Sequence, residues 1–208
     1  MDKLISAILE GDSSEAVSQA RHLNESGLSP EKIITGGVEA AMSALDTKCT
    51  LEDFNLLEIM LAGRAVMEVT KLFWPSGVVK DSAKGTVIIA VLEGDVHDLG
   101  KNILKMVLTG KGYNVVDCGK DCPLQKLVET AGAERPLAIG LSGLITTVIP
   151  MVRQLKPLLA ARGLENIKVF AGGAALKQSS PGMLNVDFVA ESAFDALRYL
   201  AEMGNNLN

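Results

Sequence analysis

Residues 86–119 read TVIIAVLEGDVHDLGKNILKMVLTGKGYNVVDCG, and this stretch decides the fold. Thr86–Leu92 is a continuous β-branched and apolar run, the pattern of a strand buried on both faces rather than one that alternates in and out. A polar, glycine-containing turn follows. Residues 98–111 then carry apolar side chains at helical spacing, and Tyr113–Val116 is a second short strand. Strand, helix and strand in so few residues form a unit whose strands run parallel.

The alternation continues to the end of the chain. The spacing predicts a helix over 123–133, a strand over 137–141, a helix over 147–162, a strand over 168–171 and a helix of undefined length after Gly173. A strand over 187–190 and a helix over 193–203 close the chain. Short connections between these elements imply an α/β, flavodoxin- or Rossmann-like, doubly wound parallel sheet of five strands. Right-handed crossovers place its ligand site at the carboxyl ends of the strands.

Upstream, the pattern is helical throughout. Residues 2–10 form an amphipathic stretch closed by Gly11, and Asp12 or Ser13 caps a second helix. Ser29-Pro30 opens a third, with Pro at the favoured first position. A fourth begins near Thr50 and carries Leu57, Met60, Leu61, Ala65, Val69 and Leu72 at intervals of three or four. The expected organisation is a four-helix bundle over residues 1–75, a linker over 76–85 that contains a polar run, and the sheet domain over 86–208.

The 208 residues suffice for two small cores. A net charge of −5, with no Lys/Arg run, argues against nucleic acid as a partner. No apolar stretch is long enough to span a bilayer, and no secretory leader pattern opens the chain. Cys49, Cys118 and Cys122 make an odd, unpaired set, so a reducing cytoplasm is expected. Cys118 and Cys122 stand four apart across a turn, and each reads as a small hydrophobe. His22 falls on an exposed helix face.

Three clusters follow three of the expected strands: Glu93-Gly94-Asp95-Val96-His97-Asp98-Leu99-Gly100, then Ser142-Gly143-Leu144-Ile145-Thr146-Thr147, then Ala171-Gly172-Gly173. The topology should bring all three to one edge of the sheet. His97 stands two residues after Asp95, where one ring N–H can reach the carboxylate and the other nitrogen stays free, as around metal-bound imidazoles. By residue type alone, an ordinary loop histidine is the commoner reading. One His with Asp95 and Asp98 is no zinc set. A metal caged in its own macrocycle, however, needs a single axial ligand.

Asp95-x-His97-x-x-Gly100, Ser142-x-Leu144 and Gly172-Gly173 together resemble the cobalamin-binding signature of methionine synthase, the B12-dependent mutases and the corrinoid proteins of methyltransferase systems. The resemblance covers residues 85–208, and the helical part is similar to the cap of the methyl-carrying members. It implies cobalamin or a related corrinoid bound base-off and His-on, with His97 as the metal ligand and Asp95 as its partner. It also implies a cofactor-binding set of Gly94, Asp95, Val96, His97, Asp98, Gly100, Ser142, Leu144, Thr146, Thr147, Gly172 and Gly173. In that set Gly100 lets the helix start close to the corrin, Gly172-Gly173 leave room for the nucleotide tail, and Ser142, Leu144 and Thr146 line it.

The implied role is that of a methyl carrier, not an enzyme by itself. It would accept a methyl group on Co(I) from a substrate-specific methyltransferase and donate it to a second one using tetrahydrofolate or a thiol, with a reductive activator as a further partner. The alternatives are a mutase subunit, which needs no helical part, a cobalamin-dependent regulator, which needs a DNA-binding domain, and a sheet module without corrinoid. One position departs from methionine synthase: the Ser that completes its ligand triad, six residues after Ser142, is Val148 here, with Thr147 beside it. A hydroxyl relay from Asp95 therefore lacks its expected member.

Overall fold

The computed structural model describes residues 1–42, 44–45, 56–74 and 84–205. Thr50, Asn55, Cys49 and nearly all of the expected linker lie outside the described residues. Two compact units are found, Met1–Ala83 with Met106–Asn114, and Lys84–Lys105 with Val115–Asn208.

In the first unit, α1 spans Asp2–Leu9 and α2 spans Ser13–Glu25. The carboxylate of Asp12 accepts the Glu15 N–H at 2.9 Å and so caps α2. α3 begins at Pro30–Ile33 and widens into a π turn over Ile34–Val38, after which residues 39–42 are helical again. The π turn holds Gly36 and Gly37, and a Cβ on Gly37 would lie 2.6 Å from Leu4 Cδ2. The periodicity of Ile33, Ile34, Val38, Ala41 and Met42 did not announce this widening, because it depends on what packs against two absent side chains. α4, Leu56–Phe73, packs with α1 and α2 around Leu4, Ile8, Ala16, Ala65 and Val69.

The second unit is built on a five-stranded sheet in the order β2-β1-β3-β4-β5. β1 is Thr86–Ala90, β2 Asn114–Asp117, β3 Ala138–Ser142, β4 Lys168–Gly172 and β5 Phe188–Ala190. β1 pairs parallel with β3, β3 with β4, and β4 with β5. From β1 the chain goes outward to β2 and then returns past β1 to β3. That reversal opens a crevice beyond the carboxyl ends of β1 and β3. The helices are α5 (Leu99–Gly110), α6 (Leu124–Glu134), α7 (Ile149–Ala160), α8 (Pro181–Leu184) and α9 (Ala193–Asn205). Among the described residues no helix is long and apolar enough to cross a membrane.

Two expected helices change shape at prolines. The run expected from Thr147 opens as a 3-10 turn, Thr146–Val148, and α7 follows with Pro150 in its first turn. The helix expected after Gly173 is a 3-10 turn at Leu176–Gln178, then a break, then α8. Pro181 disfavours the helical conformation at Ser180, whose hydroxyl instead accepts the Met183 N–H.

Register sets the two faces of the sheet. Ile139 and Leu141 join the core with Leu127, Val128, Val152 and Leu155. On the other face Ser142, Gly172 and Ala190 are aligned in the last row, with Gly140, Phe170 and Phe188 in the row behind. Phe170 is 1% exposed, and a Cβ on Gly140 would fall 2.5 Å from its ring. Tyr199 of α9 stacks on Phe188 with ring centroids 4.5 Å apart. Gly140→Ala should therefore destabilise the protein by about 1–3 kcal/mol through overpacking. In urea unfolding, adding Phe170→Leu should recover part of that loss, whereas strictly additive effects would contradict this packing.

Candidate functional site

The site is built from the turn after β1. Asp95 N–H donates to Leu92 O at 3.1 Å, and Gly94 sits in the turn with φ +88°. A side chain at Gly94 would be strained, since only glycine visits that region freely. The turn directs Asp95 inward, where it is fully buried (0% exposed), and leaves the His97 side chain 51% exposed.

A buried carboxylate is costly unless its lone pairs are met. Asp95 Oδ1 accepts the His97 backbone N–H at 2.9 Å and lies 2.7 Å from His97 Nδ1. Its Oδ2 accepts the Leu144 N–H at 2.7 Å and the Ile145 N–H at 3.3 Å. Burial pushes the carboxyl up, but the backbone N–H groups of His97 and Leu144, the His97 ring and the Ile145 N–H outweigh it, so the group lies below its ordinary value of 3.8. An ionised carboxylate only accepts hydrogen bonds. Nδ1 therefore carries a ring proton, so in the neutral form of the imidazole the lone pair is on Nε2, on the side of the ring away from Asp95.

The Asp95 carboxylate thus joins the loop after β1 to the loop after β3. The loop after β3 is joined in turn to the one after β4. Gly143 N–H donates to Gly172 O at 3.0 Å, and Ala175 N–H donates to Gly143 O at 3.2 Å. Gly173, at φ +94°, approaches so closely that a Cβ would lie 2.6 Å from Gly143 O. All three sequence clusters meet at one edge, as the expected topology implied.

Individual residues divide as follows. Val96, Leu99 and Leu144 are exposed apolar side chains, at 56%, 46% and 47%. Gly100 lies in the first turn of α5, where a Cβ would stand 3.1 Å from Ser142 Oγ. Asp98 is half-buried, and its carbonyl accepts the Asn102 N–H. Thr146 and Thr147 are exposed on the 3-10 turn, while Val148 is buried at 1%. In place of the hydroxyl that Val148 cannot supply, Asp95 Oδ2 has the two backbone N–H groups.

Sequence reasoning missed a second polar cluster. Lys101, 3% exposed, places Nζ 2.8 and 2.9 Å from the two carboxylate oxygens of Asp117 and 2.9 Å from Asn102 Oδ1. Asp117 Oδ1 also accepts the Gly119 N–H, and Lys105 adds a longer bridge. The available signal was a lysine three and seven residues before Leu104 and Leu108, on the buried stripe of α5. Cys122 is buried and Cys118 half-buried beside it; burial pushes the Cys122 thiol up to about 11, which leaves it a poor nucleophile.

A carboxyl held below its ordinary value stabilises the fold fully above its unfolded-state value and loses that contribution as pH falls through the folded-state value. Asp95→Asn should therefore lower the urea midpoint at neutral pH and flatten its fall between about pH 5 and 3. An unchanged acid limb in the variant would contradict the assignment.

Comparison with known proteins gives the family. Residues 85–198 match the B12 binding domain family. The chain is 34% identical over 193 residues to dimethylamine corrinoid protein 1 of Methanosarcina acetivorans, covering 91% of this chain and 90% of that one. It is 30% identical to the methanol–corrinoid protein of Methanosarcina barkeri, covering 91% and 73%. The crystal structure of the methanol:cobalamin methyltransferase complex from Methanosarcina barkeri superposes with a TM-score of 0.81 at 27% identity, covering 96% of this chain and 78% of that one. A cobalamin-binding protein from Desulfitobacterium hafniense shares the fold, with a TM-score of 0.75 at 21% identity and 96% coverage of both chains. Matched across its sheet by the domain family and across nine-tenths of its length by corrinoid proteins, the chain belongs to the B12-binding family.

Proposed function

We propose that the chain carries a corrinoid whose cobalt His97 Nε2 would hold, and serves as a methyl carrier between partner enzymes. The observation that carries this reading is the Asp95–His97 pair: a buried carboxylate fixing Nδ1–H, with Nε2 free on a half-exposed ring. The bound corrinoid supplies the chemistry, a cobalt able to take up a methyl group and give it up again.

The chain's own residues do the rest. Asp95 holds the proton at Nδ1 and so fixes the ring with Nε2 as the nitrogen left to ligate. Val96, Leu99 and Leu144 offer an apolar surround to a macrocycle. The narrow last row of Ser142, Gly172 and Ala190 suits a flat nucleotide tail, with Gly94, Asp98, Gly100, Thr146, Thr147 and Gly173 shaping the loops around it. Residues 1–75 act as the cap and 76–85 as its joint to the sheet domain. Leu57, Met60 and Leu61, exposed at 63%, 39% and 38%, are its candidates for excluding water, since Ala65 is spent on the core.

The relatives named for dimethylamine and for methanol, and the methyltransferase complex among the solved structures, support a substrate-specific methyltransferase as donor partner. A second methyltransferase with a tetrahydrofolate or thiol acceptor and a reductive activator complete the proposed system, in the cytoplasm. A mutase subunit is less well supported, because it leaves the helical part without a task.

Reconstitution with cobalamin tests the reading. Reduced to the cobalt(II) state, the wild-type protein should show nitrogen superhyperfine splitting in its electron paramagnetic resonance spectrum. His97→Ala should lose the splitting, and Asp95→Ala should weaken corrinoid affinity about 10- to 100-fold. A protein that retains no corrinoid, or a His97→Ala spectrum identical to wild type, would contradict it.

A further inference from the structure

The Asp95–His97 pair is only as well placed as the turn that delivers it, and that turn is held by a residue with no place in the signature. After β2 the chain does not leave the sheet directly. Cys118 N–H donates to Ile89 O and Cys122 N–H to Val91 O, while Val91 N–H and Glu93 N–H donate back to Gly119 O and Cys122 O. Between these anchors the chain loops through Gly119 at φ +85° and Asp121 at φ +51°. The loop brings Asp121 over the turn after β1, where it makes two bonds. Its carboxylate Oδ1 accepts the Gly94 N–H at 2.8 Å, and its own N–H donates to Asp95 O at 3.1 Å.

We propose that Asp121 is a positioning residue for the axial histidine, gripping the peptide groups of Gly94 and Asp95 so that the Asp95 carboxylate and the His97 ring keep one geometry. This rests on the reading of His97 as the cobalt ligand. The two bonds of Asp121 go to the peptide groups of Gly94 and Asp95, and its side chain is exposed, so its removal costs little core. Its backbone lies in the left-handed region, which Asp, Asn and Gly tolerate. Only a side-chain acceptor in that conformation can meet the Gly94 N–H while leaving the backbone bond to Asp95 in place. The base of the same loop is fixed by the buried Lys101–Asp117 pair and by Gly119 N–H on Asp117, so the grip is anchored on β2 and α5.

The two variants that separate side chain from backbone are Asp121→Gly, which keeps the left-handed conformation and deletes the acceptor, and Asp121→Asn, which keeps both. Asp121→Gly should speed hydrogen exchange at the Gly94 amide of the apoprotein roughly tenfold, as loss of a bond to a charged acceptor implies. In the cobalamin-loaded cobalt(II) protein it should lower the ratio of nitrogen-split to unsplit resonance signal by a similar factor, about tenfold. Asp121→Asn should restore both to within about twofold of wild type, because an amide oxygen still accepts the bond. A wild-type ratio in Asp121→Gly overturns the proposal while leaving His97 as the ligand. Absence of nitrogen splitting in the wild-type protein itself overturns both.

Discussion

The Asp95 carboxylate is the joint on which the site is assembled. It is fully buried, so each of its oxygens has to find donors within the protein, and those donors come from two different loops. One oxygen closes on His97 and fixes a ring; the other closes on the Leu144 and Ile145 amides and fixes the loop after β3. Removing it would leave the Leu144 and Ile145 N–H groups without their acceptor on one side and a free-turning imidazole on the other. The opening between β1 and β3 is a property of strand order, but its chemistry is a property of this one side chain.

Much of this was legible in the residues. The β-branched run at Thr86–Leu92 and the alternation after it implied a parallel sheet, and the three clusters after three strands implied one shared edge. Strand ends shifted by a residue or two because ladder pairing, not composition, decides where a strand stops. The π turn in α3 and the broken segment after Gly173 were illegible for different reasons. The first depends on Leu4 packing against Gly37, a tertiary contact. The second was signalled by Ser180-Pro181 but lost among the small residues around it.

The partners of Asp95 were half legible. Its spacing from His97 announced the ring contact. In methionine synthase the other half runs through a Ser hydroxyl, and Val148 at the matching position already told against one here. Backbone amides carry no sequence signature, so Leu144 and Ile145 could not be found as donors before the loop was seen. They leave Asp95 with no side-chain hydroxyl beyond it, and its charge is held by fixed dipoles instead. Lys101 and Asp121 were passed over for a similar reason: their partners, Asp117 and Gly94, lie 16 and 27 residues away in sequence.

The central claim is that this carboxylate selects a single tautomer of His97 and presents Nε2 outward. Nitrogen-15 chemical shifts of the labelled imidazole in the corrinoid-free protein measure it most directly. In the neutral form of the ring, the predicted shifts are those of a proton at Nδ1 and a bare Nε2. A ring protonated chiefly at Nε2, or one averaging between the two forms, would contradict it.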